Sequence, residues 1–415
     1  MSNLNKTPSS NRLHISIFGK RNMGKSTLIN AITGQNLAIV SDFAGTTTDP
    51  IYKAMEILPI GPCVLIDTAG IDDVGALGDL RIKKTMEVVR KTDIALITVD
   101  YNGFSEFDYN IIDILKKNNT PFIVVINKAD IKKPKSDFLT ELESLKYPYI
   151  NLSAEQKDRM EDMKDLIIQH SPKEFESPSI LGDLIERGDH IVLVIPIDTG
   201  MPKGRIILPQ VQTMRDILDN SGIIHTCKDT ELQATLDGLK NPPKLVVTDS
   251  QAFERVSAIV PDNVLLTSFS ILFARYKGDL SKMIGGAKTL MSLKNGDKFL
   301  VSEACTHHVQ KDDIGRYKIP KWIGEKIDTG IEFDIVAGRE YPENLKDYKL
   351  VIHCGGCTLN RKEMLGRIDI SYREGVPILN YGLCIAALYG ILDRALKPFP
   401  EVNEIWKERI FIWKN

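Results

Sequence analysis

The chain has 415 residues, of which 43% are hydrophobic and 26% are charged, and its formal net charge is −2. A chain of this length exceeds one ordinary hydrophobic core, so we expect two or three domains. The neutral charge balance argues against nucleic acid as a partner, because nucleic-acid binding usually needs a basic surface.

Two further features of composition bear on the compartment. Six cysteines in a long chain whose first residues form no apolar leader indicate metal or redox chemistry in the cytoplasm, not a disulfide framework. The longest uncharged run, 376–392, is interrupted by Pro377, Asn380 and Gly382. Because a membrane span needs about 20 consecutive apolar residues, we expect no membrane association.

The chain-order pattern predicts three α/β domains after a polar tail at 1–11, which we expect to be disordered. In the first domain, 12–172, apolar runs alternate with amphipathic stretches, which is typical of a parallel sheet. Its expected strands are 12–18, 63–66, 94–99, 122–126 and 149–152. A polar stretch with two prolines follows, and we place a linker at 173–179.

The second and third domains are predicted at 180–275 and 276–415. The second carries no recognisable catalytic constellation, so we expect it to be an assembly or spacer domain. Its expected elements are strands 191–197, 245–247 and 264–266 and a helix at 210–218. Those of the third domain are strands 298–301, 334–336, 350–352 and 377–379 and helices 313–327, 360–373 and 383–392.

A phosphate-binding loop follows the first expected strand. Its residues run from Gly19 through Gly24-Lys25-Ser26 and open a helix, which is the context that such a loop requires. The glycines let backbone N–H groups surround phosphate oxygens, and the helix N-terminus favours negative charge. We expect Lys25 to reach the β- and γ-phosphates and the Ser26 hydroxyl to bind Mg²⁺.

Later motifs identify the base as guanine. Asp67-Thr-Ala-Gly70 follows a strand, so that Asp67 can hold Mg²⁺ indirectly and the Gly70 amide can sense the γ-phosphate. Asn127-Lys128-Ala129-Asp130 follows the next apolar strand but one, and the Asp130 carboxylate can accept two N–H bonds from guanine that adenine cannot supply. Ser153-Ala154 lies where the base-supporting loop is expected.

The first switch is expected at Gly45-Thr-Thr-Thr-Asp49. Thr47 is the preferred second side-chain ligand of Mg²⁺, with Thr46 and Thr48 left as alternatives. The motifs together predict a GTPase, with Lys25, Thr47 and Gly70 as catalytic residues and Ser26, Thr47 and Asp67 as magnesium residues. The predicted GTP-binding residues are Gly19, Asn22, Met23, Gly24, Lys25, Ser26, Thr27, Asp67, Gly70, Asn127, Lys128, Asp130, Ser153 and Ala154.

This domain resembles the translation-factor-related GTPases typified by the tRNA-modification GTPase (TrmE/Era-like). Asn22 occupies the loop position at which potassium-activated members carry an Asn that coordinates the ion. After Gly70, where signalling GTPases place a water-orienting Gln, this chain has Ile71. The resemblance implies slow hydrolysis stimulated by K⁺, which would neutralise charge in the manner of an arginine finger.

Two short clusters near the C-terminus have the residue types of a metal site. They are Cys305-Thr-His307 and, after 45 intervening residues, His353-Cys354-Gly-Gly-Cys357. Thiolates and imidazoles select zinc or iron–sulfur chemistry. Because each cluster follows an expected strand, both should lie at one edge of a sheet.

Both a [4Fe–4S] cluster and a structural Zn²⁺ fit these ligands. In the first case the three cysteines hold three irons, and His307 or His353, water or an incoming molecule takes the fourth position. His308 is expected to lie outside the ligand set. The other cysteines, Cys63, Cys227 and Cys384, have apolar neighbours and are predicted to be packed core thiols.

The GTPase motifs, the middle domain and the C-x-H…H-C-x-x-C pattern together resemble the [FeFe]-hydrogenase maturation GTPases, the HydF family. The resemblance implies a cytoplasmic scaffold whose [4Fe–4S] cluster is bound by Cys305, Cys354 and Cys357. It also implies a transient diiron precursor received from two radical-SAM maturases and delivered to apo-[FeFe]-hydrogenase. The middle domain would form a homodimer, with higher assembly left open.

Two other functional classes remain as alternatives at this point. A ribosome- or tRNA-linked GTPase with a zinc site would need a basic C-terminal face and stacking aromatics, and neither is evident. A radical or redox enzyme would need its own acid–base groups and, for radical-SAM chemistry, a C-x-x-x-C-x-x-C run, which the chain lacks.

Overall fold

The computed structural model describes residues 9–34, 50–68, 78–172, 179–197, 206–304, 313–338, 342 and 344–408, with the backbone alone described for 78–84. It divides into two compact units, Met1–Glu176 and Ser177–Asn415. Among the helices that these residues form, none is both long enough and apolar enough to cross a bilayer.

The first unit is built on a six-stranded sheet with the order β2-β3-β1-β4-β5-β6. Neighbouring strands are parallel except for β2, which pairs with β3 in the antiparallel sense. The strands are β1 (Leu13–Phe18), β2 (Ile51–Ile57), β3 (Gly61–Asp67), β4 (Ile94–Val99), β5 (Phe122–Ile126) and β6 (Tyr149–Asn151). The helices are α1 (Lys25–Thr33), α2 (Gly78–Lys91), α3 (Glu106–Lys117), α4 (Ser136–Ser144) and α5 (Met160–His170).

This sheet is covered on both faces. Along β4, Ile94 and Leu96 join one hydrophobic cluster, and Ala95, Ile97 and Val99 join another. Successive side chains of a strand point to opposite faces, so the alternation places one cluster on each side of the sheet. A continuous apolar run is therefore the correct pattern for this buried strand.

The second unit contains two parallel four-stranded sheets. The first has the order β10-β9-β7-β8. Its strands are β7 (His190–Val194), β8 (Ile223–Cys227), β9 (Leu245–Thr248) and β10 (Leu265–Ser268). Its helices are α6 (Leu208–Asp219), α7 (Leu232–Asp237), α8 (Phe253–Ile259) and α9 (Phe269–Lys277).

The second sheet of this unit has the order β12-β11-β13-β14. Its strands are β11 (Lys298–Glu303), β12 (Glu332–Ala337), β13 (Leu350–His353) and β14 (Ile378–Asn380). Its helices are α10 (Leu280–Leu290), a π-helix (Ile314–Lys318), α11 (Ile319–Lys326), α12 (Arg361–Arg373), α13 (Tyr381–Leu388), α14 (Leu392–Ala395) and α15 (Pro400–Lys407).

One hydrophobic core serves both sheets of the second unit. Val192 of β7, Leu272 of α9 and Ile352 of β13 belong to the same buried cluster and are fully inaccessible to solvent. Helix α10 packs closely on β14, as Gly286 shows: a Cβ at this position would lie 2.4 Å from the Ile378 carbonyl oxygen. The absence of a side chain at Gly286 therefore sets how near this helix lies to the sheet.

The α/β class and most expected strands agree with the structure. Two strands were not predicted, β2 and β8, and each lies at the edge of its sheet. The expected helix 313–327 is a π-helix followed by α11, and the expected helix 383–392 is divided between α13 and α14. Residues 9–11, assigned to the tail by sequence, form a 3-10 turn, whereas 1–8 and most of the expected linker lie outside the described residues.

Candidate functional site

The phosphate-binding loop connects β1 to α1, and its backbone requires glycine at two positions. Gly19 has a φ of 146°, and a Cβ there would lie 2.2 Å from the Thr98 carbonyl oxygen. Gly24 has a φ of 84°, and its Cβ would lie 2.4 Å from Nδ2 of Asn127. Asn22 is also left-handed, with a φ of 65°, a conformation that Asn tolerates better than most side chains. The shape of the loop is therefore set by its backbone conformation, and the absence of side chains at the two glycines leaves room for a phosphate group.

Lys25 and Ser26 begin α1 and lie where the sequence predicts. The Lys25 ammonium group donates to the carbonyl oxygens of Gly19 (2.6 Å) and Lys20 (3.0 Å). Ser26 Oγ donates to Oδ2 of Asp67 at 2.7 Å. Two of the three predicted magnesium residues, one at the start of α1 and one at the end of β3, are thus neighbours. Thr27 lies half-buried in the first turn of the same helix.

Asn127 joins three loops of the nucleotide site. Its Oδ1 accepts from the backbone N–H groups of Lys128 (2.8 Å) and Ala154 (3.0 Å). Its Nδ2 donates to the carbonyl oxygen of Met23 at 2.9 Å. Since Asn127 is 4% exposed, these bonds are shielded from water and fix the base-binding loops relative to the phosphate loop.

The predicted guanine-recognition residue, Asp130, is exposed and is oriented by Ser153. Ser153 Oγ donates to Oδ1 of Asp130 at 2.6 Å and accepts from the backbone N–H of Gln156 at 3.2 Å. The carboxylate is therefore held in place and still open to a base. Lys128, between Asn127 and Asp130, has a φ of 66°.

Other predicted residues of the nucleotide site lie outside the described residues. These are the first-switch threonines, with Thr47 among them, and Gly70 with Ile71. Their roles stay predictions.

A buried carboxylate beside the phosphate loop was not predicted. Asp108, in the first turn of α3, is 3% exposed, and its Oδ2 accepts from the backbone N–H of Ser105 at 2.8 Å. Burial raises the pKa of the Asp108 carboxyl, and the positive charges of Lys20 and Lys25 act in the opposite direction. The Ser105-x-x-Asp108 capping pattern was the sequence feature that could have indicated it.

The two chain segments that lead to the cysteine clusters are neighbouring parallel strands. Ser302 of β11 lies opposite His353 of β13. One residue beyond β11, the backbone N–H of Ala304 donates to Cys354 Sγ at 3.1 Å. Cys305 follows directly in the chain and lies, with His307 and His308, outside the described residues. The expected common edge is thus present up to the residue before Cys305.

The thiols of the second cluster are accessible. Cys354 is half-buried and Cys357 is exposed. Gly356, between them, has a φ of 59°, and a Cβ at Gly355 would meet no atom within 4 Å. Within the described ranges no three His, Cys, Asp or Glu side chains form a metal-binding group. Two candidate ligands of the clusters, Cys305 and His307, fall outside those ranges.

His353 is buried and both of its ring nitrogens are engaged. It is 0% exposed, and Nδ1 lies 2.7 Å from the Cys354 carbonyl oxygen. The Arg367 guanidinium donates to Nε2 at 3.0 Å, so Nδ1 carries the proton and donates to the carbonyl. Burial, followed by the charge of Arg367, lowers the pKa of His353 to about 3. A neutral ring with both nitrogens bonded has no free lone pair for a metal, so His353 is the poorer of the two histidines proposed for the fourth iron position.

Lys277, the last residue of α9, supports the Cys354–Cys357 loop and was also not predicted. It is 3% exposed, and its ammonium group donates to the carbonyl oxygens of Leu359 (3.1 Å), Cys357 (3.3 Å) and Gly356 (3.4 Å). Burial lowers the pKa of Lys277 to about 8, while the charges of Cys357 and Cys354 raise it. A lone lysine at a helix end has no sequence feature that would mark this contact.

The remaining cysteines are packed as expected, with one difference. Cys63 and Cys384 are both 0% exposed, and burial raises the pKa of the Cys63 thiol to about 11. Cys227 is half-buried at the end of the edge strand β8. It packs against the core without being enclosed by it.

The fold and site of the first unit define a class of protein, the P-loop GTPases. Residues 14–128 match the family described as 50S ribosome-binding GTPase. Similar curated proteins include GTPase Der of Mycoplasmopsis agalactiae, 31% identical over 45% of this chain and 46% of its own length. The tRNA modification GTPase MnmE of Helicobacter acinonychis is 39% identical over 37% of this chain and 34% of its own length. The chain thus spans less than half the length of these relatives.

The second unit identifies the particular family. Residues 180–278 match the hydrogen maturase F dimerization domain, and residues 280–398 match the hydrogen maturase F tetramerization domain. These two matches, together with the GTPase domain, cover most of the chain in the expected order. The chain belongs to the HydF family of hydrogenase maturation GTPases.

Proposed function

We propose that this chain is a GTP-hydrolysing scaffold that binds a [4Fe–4S] cluster and carries a diiron precursor to apo-[FeFe]-hydrogenase. The supporting observation is the bond from the Ala304 N–H to Cys354 Sγ. Ala304, the residue before Cys305, therefore lies beside Cys354, a second cysteine of the proposed ligand set. The family match supplies the link to hydrogenase maturation.

The donor set fits an iron–sulfur cluster. Cys305, Cys354 and Cys357 would hold three irons as thiolates, and a backbone N–H to a ligating sulfur is a common way of tuning such clusters. When bound, the cluster supplies an iron with an exchangeable fourth position. His307 is our candidate for that position, because the nitrogens of His353 are bonded to Arg367 and to the Cys354 carbonyl.

The GTPase domain would act as a gate for partner exchange. Lys25 would turn from the loop carbonyls to the β- and γ-phosphates, and Ser26 with Asp67 would hold Mg²⁺, with Thr47 completing the ligands. Asn22 would coordinate K⁺ beside the phosphates. Contacts of Thr47 and Gly70 with the γ-phosphate would order the switches, and their loss on hydrolysis would alter a surface that partners read.

The proposed partners follow from the family. The chain would form a homodimer or larger oligomer in the cytoplasm, in line with its match to dimerization and tetramerization domains. Two radical-SAM maturases would load the diiron precursor, which is cargo and not a resident cofactor.

Anaerobic reconstitution with iron and sulfide tests the scaffold proposal. We expect about four irons per chain and an EPR signal after reduction with dithionite, both lost in Cys305→Ala and Cys354→Ala. Cys227→Ala, which removes a thiol outside the ligand set, is the matched control. Stoichiometric zinc without EPR-active iron would overturn the proposal.

The potassium site is tested by rates of GTP hydrolysis in matched KCl and NaCl. We expect faster hydrolysis in KCl, and loss of this difference in Asn22→Ala. Equal wild-type rates in the two salts would remove the potassium proposal and leave the GTPase assignment intact.

A further inference from the structure

A buried lysine next to the two thiols has no carboxylate partner among the described residues. The ion pairs of that part of the chain do not include Lys277. An ammonium group that is 3% exposed is costly to bury without compensation. Backbone carbonyl oxygens of the Cys354–Leu359 loop accept its hydrogen bonds and provide that compensation.

The hydrogen bonds of Lys277 fix the shape of the loop. Its three N–H groups have three acceptors, the carbonyl oxygens of Gly356, Cys357 and Leu359. A single side chain therefore links both sides of Cys357 to the end of α9. Arg361 makes the reciprocal contact, since its guanidinium donates to the carbonyl oxygens of Tyr276 and Gly278.

The position of Lys277 also connects the two halves of the second unit. Helix α9 starts directly after β10, within the residues that match the dimerization domain. The loop that it supports lies in the residues that match the tetramerization domain. The metal centre is thus built from both matched regions, although all three cysteines come from the second.

We propose that Lys277 is a positioning residue of the metal centre, which holds the Cys354–Leu359 loop and places an ammonium group beside the bound cluster. The inference rests on the proposed function. A nearby cation stabilises the reduced, more negative cluster more than the oxidised one. Lys277 therefore raises the reduction potential of the cluster and slows the loss of the cluster from the protein.

The test uses the full-length reconstituted chain as wild type, Lys277→Met, Lys277→Gln and Lys277→Arg. Lys282→Met is the matched control, since Lys282 lies nearby in sequence but pairs with Asp369 at 2.9 Å, away from the loop. We measure the midpoint potential by EPR-monitored titration and the rate of iron release to a chelator. We expect Lys277→Met and Lys277→Gln to lower the midpoint potential of the cluster and to release iron about tenfold faster, because loss of a group that supports metal ligands commonly has an effect of this size. Lys277→Arg should retain the wild-type potential, and Lys282→Met should match wild type.

Wild-type values of both quantities in Lys277→Gln would overturn the inference. If Lys277→Met fails to fold, as judged by circular dichroism, Lys277→Gln decides, because it removes the charge and keeps an N–H donor on a side chain that is one atom shorter. Wild-type protein that takes up zinc and no cluster would overturn the proposed function instead. In that case the zinc-release rates of the same variants decide the role of Lys277.

Discussion

At the scale of single residues, the nucleotide site depends on the side-chain amide of Asn127. Asn127 connects the loop of Met23, the loop of Lys128 and the loop of Ala154 through three hydrogen bonds. Its own position is set by the end of β5. The geometry of phosphate and base recognition is therefore held by one side chain.

Asn127→Ala is expected to weaken GDP binding at least about tenfold. The substitution leaves the Ala154 N–H and the Met23 carbonyl without their partner, and each buried group left unpaired costs roughly 1–3 kcal/mol. Fluorescence titration with a labelled GDP measures the effect. Asn102→Ala, in an exposed turn, is the control and should bind as wild type. Unchanged affinity in Asn127→Ala would show that the three loops are held by other contacts.

The cysteines differ in exposure and so in expected reactivity. Cys357 is exposed, Cys354 and Cys227 are half-buried, and Cys63 and Cys384 are buried. Alkylation requires an accessible thiolate. Burial both hides the Cys63 thiol and raises its pKa to about 11.

We expect iodoacetamide to label metal-free native protein at Cys357 first and to leave Cys63 and Cys384 unlabelled. Because the Cys63 thiol is fully buried and burial raises its pKa to about 11, it should stay unlabelled at both pH 7 and pH 9. Mass spectrometry of peptides measures the order, and labelling in denaturant shows that all six thiols can react. Comparable rates for Cys63 and Cys357 would contradict the packing of β3.

At the scale of elements, the second sheet of the second unit depends on close approach of α10. Gly286 faces the Ile378 carbonyl of β14, and β14 precedes α13 of the same core. Gly324 of α11 provides a contrast, because a Cβ there would meet no atom within 4 Å.

Gly286→Ala is expected to destabilise the second unit by about 1–3 kcal/mol, because the new Cβ forces α10 away from β14. Gly324→Ala should be neutral or stabilising by up to about 1 kcal/mol, as for a glycine in an open helix position. Thermal unfolding followed by circular dichroism compares the two variants. A Gly286→Ala protein as stable as Gly324→Ala would mean that the helix and the strand are not tightly packed.

The two strands that were not predicted from the sequence, β2 and β8, were missed for the same physical reason. In β2, Tyr52 is exposed whereas Lys53 is half-buried, so the alternation of polar and apolar residues does not follow the alternation of faces. In β8, His225 and Thr226 replace the apolar run of a central strand. Edge strands need less burial, and periodicity therefore marks them weakly.

Residues that would bind a ligand could be predicted from the sequence, whereas residues that only contact other residues of the site could not. Phosphate, magnesium and guanine each require particular groups at fixed spacing, so residues for them can be named from the sequence, and their roles stay predictions. Lys277 and Arg367 lie far in sequence from the atoms that they contact, at Leu359 and Gly338. Only the packing of α9 and α12 against the sheet brings them there.

At the scale of the whole molecule, the hydrophobic clusters follow the two compact units. Two clusters cover the faces of the sheet in the first unit. One cluster runs through both sheets of the second unit, although two separate family models match its halves. A shared core makes two structural domains unfold together, whereas separate cores allow separate transitions.

Calorimetry of the intact chain is therefore expected to resolve two unfolding transitions and not three. GDP with Mg²⁺ at 100 times its dissociation constant should stabilise the first unit by about 2.7 kcal/mol, because it binds only the folded GTPase domain. It should leave the other transition in place. Gly286→Ala should shift that second transition and not the one that responds to GDP, which assigns both peaks within one experiment. Three transitions, with Gly286→Ala lowering only one of two GDP-insensitive peaks, would show that the dimerization and tetramerization regions fold independently and that the core at α9 does not couple them.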